Sequence, residues 1–220
     1  MRKLVVLSLI LGIASFANAA PLLTLTQGVF TVTVWDATDP ASPGYDSSQG
    51  SVPTGYTSID IAVDIAGGVD WTQAQMLSNL TNGSFYQDTT YGGNVHPNTA
   101  FYALVSGLAF DTYVVATSYP GSGTDNATQI AGGAINLGGS PSVTMDTSLL
   151  DVTWFDTESV YPNGQIARVT YTLDAAGSLD LLVYDANQDQ ETFSIPIPVP
   201  EPVSIMLMLV GGVAGLIRRR

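Results

Sequence analysis

The chain has 220 residues, with 19 acidic against 6 basic side chains, a net charge of −13 and no cysteine. Without cysteine there is no disulfide framework, thiol nucleophile or thiolate-bound zinc. The acidic balance excludes nucleic acid as a partner, because such a surface repels phosphates.

Residues 1–19 have the layout of a secretory signal. Arg2 and Lys3 form a basic start, residues 4–13 are mostly apolar, and Ala17 and Ala19 give the small-x-small pattern that signal peptidase reads. Cleavage is expected after Ala19. The remaining body holds eighteen acidic residues and a single cation, Arg168, for a net charge of −17 over residues 20–199.

The body reads with a period of two. Val29 to Trp35 alternates valine and threonine. Thr57 to Ala66 places Ile59, Ile61, Val63 and Ile65 on one face, with Ser58, Asp60, Ala62 and Asp64 on the other, a pattern that predicts one face in a core and one in water. Asp70 to Leu80 fits a helix face or a strand, and the strand is preferred. Asn82-Gly83 would then turn the chain, so that Ser84 to Asp88 pairs back on it. Further strands are expected at Ala100 to Val105, Thr112 to Ser118, Leu150 to Phe155, Ile166 to Leu173, Leu179 to Tyr184 and Thr192 to Ile195. Clusters of Gly, Pro, Asn and Asp separate them, and no long run shows a 3.6-residue apolar period. The expectation is one all-β body over residues 20–195, an antiparallel β-sandwich or jelly roll.

The candidate chemistry is sparse. Asn82 to Val114 is rich in aromatics. Tyr86 and Tyr91, with Gln87 and Asp88 as polar partners, would suit stacking on sugar rings, which makes an extracellular polysaccharide a candidate partner; the competing reading buries alternate members in the core. His96 is the only histidine and lies in a loop. Asp185, Asn187, Asp189 and Glu191 place an oxygen side chain at every second position of a turn, as calcium requires. The turn resembles the start of an EF-hand loop but lacks its glycine at the sixth place, its distal glutamate and its flanking helices. There is no Gly-x-Ser-x-Gly elbow, the body has only two glutamates, and its paired glycines have no lysine to accompany them, so no catalytic residue is assigned and no cofactor beyond that candidate calcium.

Residues 196–202, rich in proline, read as a stiff linker. Residues 203–217 carry no charge, and Arg218, Arg219 and Arg220 close the chain. Fifteen helical residues span about 22 Å, short of the ~30 Å bilayer core, and insert if the arginines snorkel. The positive-inside rule then puts the arginines in the cytoplasm and the body outside.

Val199-Pro200-Glu201-Pro202, the apolar run and the arginine cluster together resemble the PEP-CTERM sorting signal. The resemblance covers about the last twenty-two residues. It implies export, a transient inner-membrane anchor, and cleavage near Pro-Glu-Pro by exosortase, a membrane cysteine protease-like transpeptidase, with delivery to the cell surface or extracellular matrix. Gly83 to Asp88, Pro97-Asn98 and Phe110 to Val114 are similar to a segment of uncharacterised PEP-CTERM proteins of planctomycete type, and that likeness implies no activity. The function these features point to is an exported, non-enzymatic protein of structural or adhesive role. The alternatives are a carbohydrate-binding module using residues 85–113 and, third, a secreted hydrolase.

Overall fold

A computed structural model describes residues 20–116, 125–157 and 164–200. The expected signal region with Ala17 and Ala19, the apolar run, Glu201, Pro202 and the three terminal arginines lie outside the described residues. Eleven strands fall into two sheets in a β-sandwich-like arrangement, with no α-helix among the described residues. In chain order they are β1 (Leu23–Gln27), β2 (Phe30–Asp36), β3 (Tyr56–Ile65), β4 (Trp71–Asn82), β5 (Tyr113–Val114), β6 (Thr128–Gly132), β7 (Thr144–Met145), β8 (Leu150–Asp156), β9 (Gly164–Thr172), β10 (Ala176–Asp185) and β11 (Gln190–Ile197). One sheet runs β1-β2-β3-β9-β5 and the other β11-β10-β4-β8-β6, with β7 on β8. Every strand pairing is antiparallel.

The space between the sheets is filled by alternate residues of each strand, as the period of two requires. Val32, Val34, Ile59, Ile61, Val63 and Ile65 come from the first sheet; Met76, Val152, Leu181, Phe193 and Ile195 come from the second. Trp71 and Trp154 meet edge to face, their centroids 6.5 Å apart, the geometry favoured by the ring quadrupole. The sheets are also stitched at both edges. Gln27 donates its side-chain amide to the Thr192 carbonyl at 2.9 Å, and the Ala116 amide donates to the Thr128 hydroxyl.

Four expectations are corrected. Ala100 to Val105 is a 3-10 turn (Thr99–Phe101) with further turns, not a strand. Its alternation of apolar residues comes from a short turn with Tyr102 buried against a small second core. Ser84 to Asp88 does not return along β4. The chain crosses at Gly83 to the other sheet, where Phe85 bridges Tyr171 and the Tyr86 amide donates to the Thr170 carbonyl at 2.8 Å. The stretch read as linker begins inside β11, since Pro196 and Ile197 pair with Ser178 and Gly177. Finally, the face of β3 assigned to water is buried at three of its four positions, with only Asp64 left exposed. Ser58 is 2% exposed, Asp60 0% and Ala62 5%. Two long connections, residues 37–55 and 85–112, lie over it.

Candidate functional site

The covered face is built around the body's only cation. Register sets Asp60 of β3 opposite Arg168 of β9, and Arg168 opposite Tyr113 of β5, all pointing away from the inter-sheet core. A guanidinium buried in this way must place five N–H donors, and Arg168 places all five. Nε donates to Asp60 Oδ1 at 2.7 Å, and one Nη2 proton donates to Asp60 Oδ2 at 2.8 Å. The other Nη2 proton goes to the Gly44 carbonyl at 2.7 Å. Nη1 donates to the Ala109 carbonyl at 2.6 Å and to Gln49 Oε1 at 3.3 Å. Asp60 is completed by donors from Gln165 and Ser42. Phe110 and Tyr113 lie 5.6 and 5.8 Å from the guanidinium carbon, within cation–π reach.

This one side chain therefore touches β3, the 37–55 connection and the 85–112 connection. Around it sits a second apolar cluster of Ala37, Tyr102, Leu108, Ala109 and Phe110, with Val52 and Val105 packed against it. His96 leans on this cluster through Tyr102, with ring centroids 6.4 Å apart, and lies edge-on to Tyr113 at 4.8 Å. Burial pushes its pKa down to about 4, and the Arg168 charge adds to that, so the imidazole is neutral at pH 7. Tyr113 is pushed up to about 12, chiefly by burial.

Elsewhere carboxylates are buried without any cation. Asp111 is completely enclosed, and its oxygens accept from the amides of Asp88 at 2.8 Å and Gly93 at 3.0 Å. A Cβ on Gly92 would lie 2.1 Å from its Oδ2, so only glycine lets the loop come that close. Burial raises the Asp111 pKa to about 7 against the pull of those two amides. Asp151 of β8 follows the same design. The loop 132–140, with a 3-10 turn at Ile135–Leu137, wraps its carboxylate so that the Ala134 and Ser140 amides donate to it. A Cβ on Gly139 would meet Asp151 Oδ1 at 2.3 Å.

The residues singled out from sequence do not form a single surface. Tyr86 is partly buried and meets Tyr56 edge-on at 5.2 Å; burial raises its pKa. Gln87 turns inward and donates to the Thr112 carbonyl at 2.8 Å. Asp88 caps its own loop by accepting from the Thr90 and Tyr91 amides. Tyr91 alone projects, at 61% exposure. Of the other aromatics in the segment, Phe85, Tyr102, Phe110 and Tyr113 are buried and Phe101 is exposed.

The Asp185 turn is closed upon itself. Asp185 is buried, and its Oδ1 accepts from the amides of Asn187 at 2.8 Å and Asp189 at 2.9 Å. Glu191 reaches instead toward Gly28 in the β1–β2 turn. Among the described residues no group of three or more His, Asp or Glu side chains gathers as a metal would need.

At the far end of β11, Val199 is 8% exposed, belongs to the inter-sheet core, and donates its amide to the Tyr171 hydroxyl at 3.4 Å. Of the residues assigned from sequence to a sorting signal, Val199 is thus packed into the folded body. No helix of the described residues is long and apolar enough to cross a membrane.

Neither a protein-family model nor a curated protein sequence matches the chain. Among solved structures it is similar to a DUF4466 family protein from Parabacteroides merdae, at 11% identity and a TM-score of 0.33. That match covers 77% of this chain and 44% of the other, so the chain spans under half the length of that neighbour.

Proposed function

We propose that the protein is an exported, non-enzymatic cell-surface or matrix protein, sorted by an exosortase through its C-terminal tail. One observation carries the reading: the chain ends with Val199-Pro200-Glu201-Pro202, an uncharged run and three arginines, while the body before them holds one cation. The basic start and the Ala17/Ala19 pattern supply the matching export signal. The body adds support of a physical kind. Its charge keeps it soluble, and its lone arginine is consumed internally. The titrating groups of its covered face, His96 and Asp111, sit in packed loops and serve structure.

Because Val199 is packed into the core, the peptide bonds open to a protease begin beyond it. Processing would leave a body with its last strand intact and a C-terminus between Pro200 and Pro202. Mass spectrometry of both termini in the surface and medium fractions tests this. The expected protein starts at Ala20 and stops within that short stretch. Recovery of the uncut chain, soluble inside the cell, would sink the proposal.

A further inference from the structure

The outer face of the second sheet carries a feature that the aromatic segment does not. Leu181 and Val183 of β10 point into the core, as do Val152 and Trp154 of β8. Alternation therefore puts Tyr184 and Phe155 on the opposite, outer face. The register aligns them in one row across the sheet. Tyr184 is paired with Gln73, and Gln73 with Phe155. Gln190 of β11 and Gln129 of β6 extend the row at either end. Tyr184, Gln73 and Phe155 are all partly exposed.

The strands that carry the two rings lie two strand spacings apart, about 9.6 Å. That is close to the length of two linked pyranose rings. Between them lies the amide of Gln73, an uncharged group with donors on one side and an acceptor on the other. Beside the row stands the turn Ile135–Leu137, where Asn136 donates to the Tyr184 hydroxyl at 2.6 Å and, through its backbone amide, to Gln75 Oε1 at 3.0 Å. This bond holds the tyrosine ring in place before any ligand arrives. Ile135 beside it is 59% exposed and forms an apolar lip.

The charge pattern narrows the ligand. The body is strongly acidic, yet the five residues of the row carry no charge. A polyanion would be repelled by the body as a whole, and a cation would find no carboxylate in the row. What fits is a neutral, polyhydroxylated chain with alternating apolar faces to lay on the rings and hydroxyls for the amides. We infer that this row is a binding platform for a neutral polysaccharide, with Tyr184 and Phe155 as stacking groups and Gln73 as the polar group between them. The inference rests on the reading of an extracellular body only for its supply of ligand.

Isothermal titration of the full-length chain, held in a detergent without a sugar headgroup, tests it. The probes are cellohexaose, laminarihexaose and chitohexaose, with oligoalginate as the polyanionic contrast. At least one neutral hexasaccharide should bind and oligoalginate should not. Tyr184→Ala and Phe155→Ala should each weaken binding tenfold or more, and Tyr91→Ala should leave it unchanged. Gln73→Glu places a charge on the row without emptying any space; it should give a comparable loss at an unaltered thermal midpoint, which guards against an alanine variant that fails to fold. No binding by any neutral probe, equal binding of oligoalginate, or binding that survives Gln73→Glu and Phe155→Ala would overturn the platform. Terminus mapping reads out separately: a correctly processed protein that binds nothing removes this inference alone, and a retained protein that binds a neutral glycan removes the export reading alone.

Discussion

The two outer faces of the sandwich show how differently one sequence can treat the same surface. On the first sheet, two long connections bury the part of the face around Asp60 and Arg168, and a guanidinium bonded to Asp60, Gly44, Gln49 and Ala109 holds them down. On the second sheet, the loop 132–140 covers part of the face through the Asp151 cradle and leaves the Tyr184–Gln73–Phe155 row partly open. A body with one cation can neutralise one buried carboxylate by pairing. Every further one, such as Asp111, Asp151 or Asp185, must be satisfied by backbone amides, and glycine is placed where the loop has to come close enough to supply them. The paired face closes and becomes structural; the cradled face stays accessible.

The largest effect should come from breaking the pair. Arg168→Met leaves Asp60 buried without its partner and should cost about 3–5 kcal/mol, measured by urea unfolding. Adding Asp60→Asn should recover much of that loss, because the uncompensated charge is then gone. If the single variant costs no more than the double, the ion pair is not what closes the first face.

Asp151→Ala is the matching experiment on the second face. It leaves the Ala134 and Ser140 amides without their acceptor and should cost roughly 2 kcal/mol. Gly139→Ala, which drives a Cβ into the carboxylate, should lose a similar amount, about 1–3 kcal/mol. A stability unchanged in both would show that the loop is held by other contacts.

Smaller still is a pH effect confined to the first face, where two groups oppose each other. His96 has its pKa lowered from 6.5 to about 4. Its contribution is present above pH 6.5 and is lost as the pH falls toward 4, because the unfolded chain takes up the proton first. Asp111 has its pKa raised from 3.8 to about 7. Its contribution is present at low pH and is lost as the pH rises through that range. The two slopes offset one another between about pH 4 and 6.5. His96→Asn should uncover a stability that falls with rising pH, and Asp111→Asn one that falls with falling pH. Urea midpoints at three pH values in this window decide it; parallel profiles for the two variants would contradict the assignment.

The smallest expected effect is that of chelator on the thermal midpoint. The buried Asp185 carboxylate already accepts from its own turn, so the midpoint should not move. A shift of several degrees upward on adding calcium would restore a metal role for that turn.

Much of the inter-sheet core was legible because alternation in β2, β3, β8, β9 and β10 reports burial directly. Sequence could not show that β3 is buried on both faces along Ser58 to Val63. Asp60 between Ile59 and Ile61 looks like a solvent-facing acid, and it is buried because the two connections close over it around its cross-strand neighbour Arg168. The signal was there in a weak form, since the body's single cation falls in the middle of an apolar strand, where an unpaired charge is costly. The Asp111 and Asp151 cradles were illegible for another reason. They depend on loops that return to a distant strand, and the paired glycines that permit this look like ordinary turn punctuation. The platform row went unread because Gln73, Phe155 and Tyr184 lie on three strands that only the register aligns. Tyr86 and Tyr91 are close in the chain, but the fold sets one against Tyr56 and the other in solvent.

The claim that the body's only cation is locked inside the fold has a direct test in limited trypsin digestion. Residues 20–200 contain one trypsin site, after Arg168, and that residue is 0% exposed. The native body should survive intact, and in urea it should give one large fragment, residues 20–168, and one short one, residues 169–200, at a rate that follows global unfolding. Cleavage at Arg168 under native conditions, while the rest of the fold persists, would contradict the account.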